Sequence, residues 1–306
     1  MACCHLHAVN VHEPQAPQRD VTDPMRLNLL PPSPLEYFTS LVQSDAELPL
    51  LEAVVSLAQD EYPDLDLEHS LSVVDKMQSR LRKRNAQNGS VLERIHQLNQ
   101  FFYGELGFAL NTNDYYDPDN SYLHHVLETR RGIPISIGVL WLELARSIGL
   151  DVYGVSFPGH FMLKVLLAQG QVILDPLTGK SFSSQELTHQ LQAQIPRLSL
   201  YNEETMPLGL FLQSASPREI LTRMLRNLKE IFRVQQDGAR QLAVMERLVI
   251  LLPKDWIERR DRGLAYEAVG RTQEAMVDFQ SYLDFSREAL DATEIAQKLQ
   301  ALKNQA

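Results

Sequence analysis

Residues 130–161 read RRGIPISIGVLWLELARSIGLDVYGVSFPGHF, and a change of period inside this stretch decides the fold class. Ile135, Val139, Leu142 and Ala145, with Trp141 and Leu144, recur at helical steps and describe a largely buried helix. Pro134 stands at its start and Gly149 at its end, the asymmetry expected of helix termini. Beyond Gly149 the pattern becomes that of strands. Val152–Phe157, Phe161–Leu167 and Gln171–Leu174 are short and rich in β-branched and aromatic residues, with Pro158-Gly159 and Gln169-Gly170 between them. A buried helix followed by an antiparallel meander is an α+β signature.

Upstream, residues 35 to about 105 are helical in pattern. Leu50, Leu51, Val54, Val55 and Leu57 follow Pro49; Leu71, Val74, Met77 and Leu81 form a second periodic set, and Val91, Leu92, Ile95, Leu98 and Phe102 a third. The run Arg80, Arg82, Lys83, Arg84 closes the second helix, where cations complement the helix dipole. Asn111, Asn113, Asp114, Asp117, Pro118, Asp119 and Asn120 mark a long ordered loop, and Ser121 is the expected cap of a short helix reaching Arg130.

Downstream, residues 180–216 read as a polar, irregular connection, and the chain is helical from there on. Phe232, Met245 and Leu248 return 34 residues later as Tyr266, Phe279 and Tyr282, and 34 is the tetratricopeptide period. The second copy carries Gly263 and Ala275 where its helices cross; Pro253 closes the first copy, and a capping helix is expected near 289–304. The organisation expected is thus a disordered tail over 1–34, a helical segment plus α+β core over 35–200, and helical repeats over 217–306.

Composition excludes several classes. With 29 Lys+Arg against 39 Asp+Glu the net charge is −10, against a general nucleic-acid binder. The solvated helix end is therefore preferred for the Arg80–Arg84 run. Cys3 and Cys4 are the only cysteines, which excludes a disulfide framework and points to a reducing compartment. With His5, His7 and His12 they lack the spaced second half of a zinc site, so no metal is expected. No apolar run nears the roughly 18 residues of a membrane span, and no secretory leader is evident. The chain reads as soluble and cytoplasmic; Met25 is an alternative start.

The chemistry-bearing residues lie around the central helix. Arg131–Ser136, Leu144–Gly149, Gly159-His160-Phe161 and Leu174-Asp175-Pro176 together resemble the core of transglutaminase-like and papain-like thiol enzymes. More closely, Asp117–Ser121, Arg130–Ser136, Phe157–Phe161 and Asp175-Pro176 are similar to the YchA/SirB-type family over roughly residues 35–300. That resemblance implies a transglutaminase-like core with C-terminal tetratricopeptide-like repeats and a poorly defined, regulatory role. In such an enzyme a cysteine opens the helix, a histidine deprotonates it, and an aspartate fixes the imidazole. His160 and Asp175 match the latter two. The nucleophile position, counted back from Gly149, holds Pro134, which has neither a nucleophilic atom nor an N–H.

Ser136 is the alternative nucleophile, giving acyl transfer or amide hydrolysis through Ser136, His160 and Asp175. Two helical residues rotate a side chain by about 200°, so a regular helix turns Ser136 away from the direction of residue 134. His124 and His125 are read as satisfied histidines rather than cleft residues. A hairpin centred on residues 167–168 sets His160 directly across from Asp175. The function expected is that of a pseudoenzyme: no cofactor, no nucleic acid, no membrane, and a protein or peptide partner held by the repeat groove and the core cleft.

Overall fold

The structure is a computed structural model and describes residues 31–84, 89–194 and 207–305. Helix α1 (Pro34–Leu41) opens on proline one residue inside the segment read as tail, with Ser33 and Glu36 forming a capping box. Cys3, Cys4, His5, His7, His12 and Met25 lie outside the described residues. Helices α2 (Leu50–Ser56), α3 (Leu67–Arg84) and α4 (Val91–Asn99) follow the three periodic sets, and α4 continues as a π-helical turn over Gln100–Glu105. The cationic end of α3 is put to use: Arg84 pairs with Glu105, and Arg80 and Arg84 both lie over the Phe101 ring.

The Asn/Asp-rich loop leads into α5 (Leu123–Thr129). Ser121 does not cap it. Tyr122 occupies the N-cap without a side-chain bond, and the buried Ser121 hydroxyl has no partner among the described residues. A 3-10 turn over Pro118–Asn120 displaces the helix start by a residue or two. A short parallel pair, β1 (Ala109–Leu110) with β2 (Arg131–Gly132), then delivers the chain to the central helix α6 (Pro134–Ser147).

The meander consists of β3 (Val152–Phe157), β4 (His160–Leu166) and β5 (Gln171–Leu174), antiparallel throughout. Phe161 fastens it to α6: a Cβ on Gly138 or on Gly154 would stand 2.6 Å from the ring, so only glycine admits it at both places. The register corrects the expectation. Leu163 pairs with Leu174 and Leu166 with Gln171, and the Leu167 N–H donates to the Gly170 carbonyl. The turn is therefore Ala168-Gln169, one residue beyond the centre expected at 167–168, with Gly170 taking the positive φ of 89° after it. His160 is thus a diagonal neighbour of Asp175, not its direct partner.

The connection expected to be irregular contains α7 (Ser184–Gln194), opened by a Ser183–Glu186 capping pair. The repeats are the hairpins α8 (Pro217–Val234) with α9 (Gly238–Leu251) and α10 (Trp256–Ala268) with α11 (Thr272–Phe285), followed by α12 (Ala292–Gln305). One hydrophobic cluster runs from Phe38 through α6 into Phe232 and Leu248, and Ser33–Ala306 forms one compact unit. Arg218 holds this junction, donating to the Leu251 and Val42 carbonyls and pairing with Asp45.

Candidate functional site

The loop preceding α6 is tied to the helix start through one residue. The Asn120 side chain donates to the Asp114 carbonyl at 2.6 Å and accepts from Asn111 at 2.9 Å. Its own carbonyl accepts the Ser136 hydroxyl at 2.6 Å. The same hydroxyl oxygen accepts the Ile133 N–H at 3.1 Å and lies 3.1 Å from the Ile133 carbonyl. Ser136 has no exposed surface, and the space beside it is so tight that a Cβ on Gly132 would stand 2.7 Å from its Oγ. A first-turn serine is thus fully occupied with its own helix and the loop.

Helix rotation orders the rest. Gly138 faces Phe161 and Leu163 of β4. At about 100° per residue, Pro134 lies some 40° from Gly138 on that sheet-facing side, whereas Ser136 is turned about 160° from it. The helix therefore aims position 134 toward the sheet that carries His160, and position 136 toward Asn120 and Val126.

His160 and Asp175 do come together. Nε2 stands 3.8 Å from Asp175 Oδ1, an ion-pair separation longer than a direct hydrogen bond, with both side chains partly exposed. Their juxtaposition is the diagonal contact that two same-face positions of neighbouring strands permit. The turn after β5 fixes the carboxylate: the Leu177 N–H donates to Oδ1 at 2.8 Å and the Thr178 hydroxyl to Oδ2 at 3.2 Å. The turn is itself anchored, since Tyr103 donates to the Pro176 carbonyl, Asn99 to that of Gly179, and Trp141 of α6 to Asn99.

Burial pushes the Asp175 carboxyl up, but His160, the Leu177 amide and the Thr178 hydroxyl outweigh it and hold the group below its ordinary value. A carboxyl depressed in the folded state contributes stability above its unfolded pKa of about 3.9 and loses it as the pH falls through the lower folded value. Asp175→Asn is accordingly expected to flatten the decline in stability below about pH 4, read as urea midpoints against pH. An unchanged acid limb would remove the carboxylate from this balance.

His124 and His125 do not join the pair. His124 packs against Tyr62 at 4.4 Å with its Nδ1 buried and without a partner among the described residues, and burial pushes its pKa down. His125 Nδ1 stands 3.8 Å from Asp119 Oδ2, while Asp119 Oδ1 accepts the Tyr62 hydroxyl. Sequence reasoning missed the supports Asn99, Tyr103 and Trp141, whose contacts span 42 to 80 residues and leave no local pattern. Among the described residues no three His, Cys, Asp or Glu side chains converge as a metal site would require, and no helix is long and apolar enough to cross a membrane.

A buried helix packed on an antiparallel meander that carries a His–Asp pair is the framework of the transglutaminase-like core, and comparison with known proteins agrees on the fold. A family profile described as "Transglutaminase-like superfamily" matches residues 68–226, and a tetratricopeptide-repeat profile matches residues 228–300. A UPF0162 protein of Xylella fastidiosa (strain Temecula1) is 34% identical over 78% of this chain and 84% of its own. Protein SirB1 of Salmonella typhimurium is 26% identical over 77% of this chain and 86% of its own, and YchA of Escherichia coli 25% over the same shares. The chain belongs to the YchA/SirB-type family of transglutaminase-like proteins. As in the other members of this family that match it, the similarity spans most of both chains. The α+β core and the C-terminal repeat helices are those the family profiles describe.

Proposed function

We propose that this protein is a non-catalytic member of its family, a cytoplasmic protein- or peptide-binding module with a regulatory role. One observation carries the reading: residue 134 is proline on the side of α6 that faces the His160 sheet, while the hydroxyl two residues on, that of Ser136, is buried and engaged with Asn120 and Ile133. His160 and Asp175 then act as a buttress, joining the start of β4 to the turn after β5. A repeat scaffold beside an enzyme-like core provides surface for an extended partner, the usual role of tetratricopeptide-type helices.

The competing reading makes Ser136, His160 and Asp175 an acyl-transfer or amide-hydrolysing triad. A fluorophosphonate probe, followed by intact-protein mass spectrometry, separates the two. The expected result is no adduct. Ser136→Ala is expected to cost about 1–3 kcal/mol of stability, because the buried Asn120 carbonyl loses its close donor and keeps only the Ile133 N–H at 3.4 Å. An adduct that maps to Ser136 and vanishes in Ser136→Ala would overturn the proposal.

A further inference from the structure

Two cavities meet on one side of α8. The first, about 430 Å3, lies between α8 and the turn Phe157-Pro158-Gly159; the second, about 490 Å3, lies between α8, Tyr115, Tyr116 and Ile133. Asn227 lines both. Arg223, Asn227, Ile231 and Val234 recur at steps of four, four and three, so they form one stripe along the helix, about 16 Å from end to end. The far end is largely apolar and open: Tyr116 is 67% and Val234 61% exposed, beside the edge-on pair of Tyr115 and Tyr116, and the Glu230 carboxylate in its lining is paired with Arg233. Ile133, the N-cap of α6, lies in the wall of the second cavity, so the groove skirts the helix start where the family's enzymes hold their nucleophile.

The near end carries a cation without a counterion. Arg223 donates one N–H to the Phe157 carbonyl at 3.0 Å, and among the described residues no carboxylate pairs with it; Glu219, in the wall of the same cavity, accepts instead from Ser216. Its neighbours on α8 differ: Arg226 is satisfied by Asp255 and Glu258, Lys229 by Glu258 and Asp261, and Arg233 by Glu230. In a protein of net charge −10, a half-buried guanidinium left unpaired at the mouth of a groove is the feature to explain. A guanidinium there is suited to a carboxylate, which it can grip through two N–H groups at once.

We infer that this groove binds an extended segment of a partner protein, with an acidic side chain on Arg223 and a bulky apolar side chain in the pocket of Tyr115, Tyr116, Ile231 and Val234. The inference rests on the non-catalytic reading and adds the place and the chemistry of binding. The two ends stand 8 to 11 helical residues apart, about 12–16 Å. An extended chain covers that in four residues at about 3.3 Å each, and positions four apart point to the same side. The recognised pattern is therefore one acidic and one large apolar residue separated by three others.

A phage-displayed library of random heptapeptides, selected on the full chain, tests this. Enriched peptides are expected to carry Asp or Glu four positions from Leu, Ile, Phe, Tyr or Trp. Their affinity, read by fluorescence anisotropy on synthetic copies, is expected to fall at least tenfold with Arg223→Gln and with either Tyr116→Ser or Val234→Asp, both at exposed positions. Arg223→Glu is expected to enrich Lys or Arg in place of the acid. Peptides that bind Tyr116→Ser, Val234→Asp and Arg223→Gln undiminished but lose binding in Ile257→Asp, at the separate cavity beside Trp256, would overturn the inference and leave the binding function standing. A library yielding no enriched peptide would overturn it as well, whereas a Ser136 adduct would instead remove the reading beneath it.

Discussion

Pro134→Cys, made in a chain whose Cys3 and Cys4 are serine, is expected to produce a thiol titrating at about pH 7.5 or below, against about 8.5 for free cysteine. Three influences act at the position. Residue 134 is buried, which raises a thiol pKa. It is also the first residue of a 14-residue helix, whose unpaired N–H groups and dipole favour the thiolate. Finally, it lies on the side of α6 that faces β4, whose first residue is His160. The imidazole turns Nε2 toward Asp175, leaving Nδ1 for a second partner. The two favourable influences are expected to outweigh burial. Cysteine at the first helical position also adds an N–H that needs no intrahelical acceptor, so the backbone tolerates the change. The measurement is the rate of iodoacetamide alkylation between pH 5 and 9. Adding His160→Ala is expected to move the midpoint back up by about one unit. A restored cysteine that titrates like free thiol, or is indifferent to His160, would dissociate residue 134 from the His–Asp pair and remove the support that Pro134 gives to the proposed non-catalytic reading.

Much of that geometry was legible in residues 130–161. Pro134 and Gly149 marked the ends of α6, because helix termini have local chemical requirements. The strands were equally readable from their β-branched composition. The hairpin register was not, since Gln169-Gly170 looks like a turn dipeptide while the chain turns at Ala168-Gln169 and uses Gly170 just after. His160 still reaches Asp175 because a shift of two positions preserves the face of the sheet. The role of Ser136 was half visible: rotation excluded it from the nucleophile's direction, but its acceptor, Asn120, lies 16 residues back across a loop. Helix α7 went unrecognised because its apolar face is thin, with only Leu187 and Leu191 buried. Arg223 could have been suspected only by finding every other cation of α8 a partner, which requires α10 and the segment carrying Asp45 to be in place.

The largest loss of stability is expected from Asp278→Ala. Asp278 is 1% exposed in α11 and accepts two parallel bonds from Arg262 of α10, at 2.7 and 2.8 Å. Burial pulls the Arg262 pKa down, but Asp278 more than offsets this and the guanidinium stays charged. Water cannot take the carboxylate's place, because α10 and α11 touch there: a Cβ on Gly263 would stand 2.8 Å from the Phe279 ring and 3.2 Å from the Asp278 Cβ. Alanine therefore leaves Arg262, a cation whose side chain is only 16% exposed, without its carboxylate, a lesion that costs about 3–5 kcal/mol when the charge is buried. Replacing both partners with apolar residues, as Arg262→Met with Asp278→Leu, is expected to recover most of that loss, since the cost lies in the orphaned charge and not in the absent pair. Hydrogen exchange by mass spectrometry would locate the damage. Repeats rely on their nearest neighbours, so protection is expected to fall in α10, α11 and α12 and persist in α6 and the meander. Uniform loss across both regions would mean that the shared cluster from Phe38 to Leu248 makes core and repeats unfold together. A cost below about 1 kcal/mol would place Asp278 among ordinary surface ion pairs and contradict its burial.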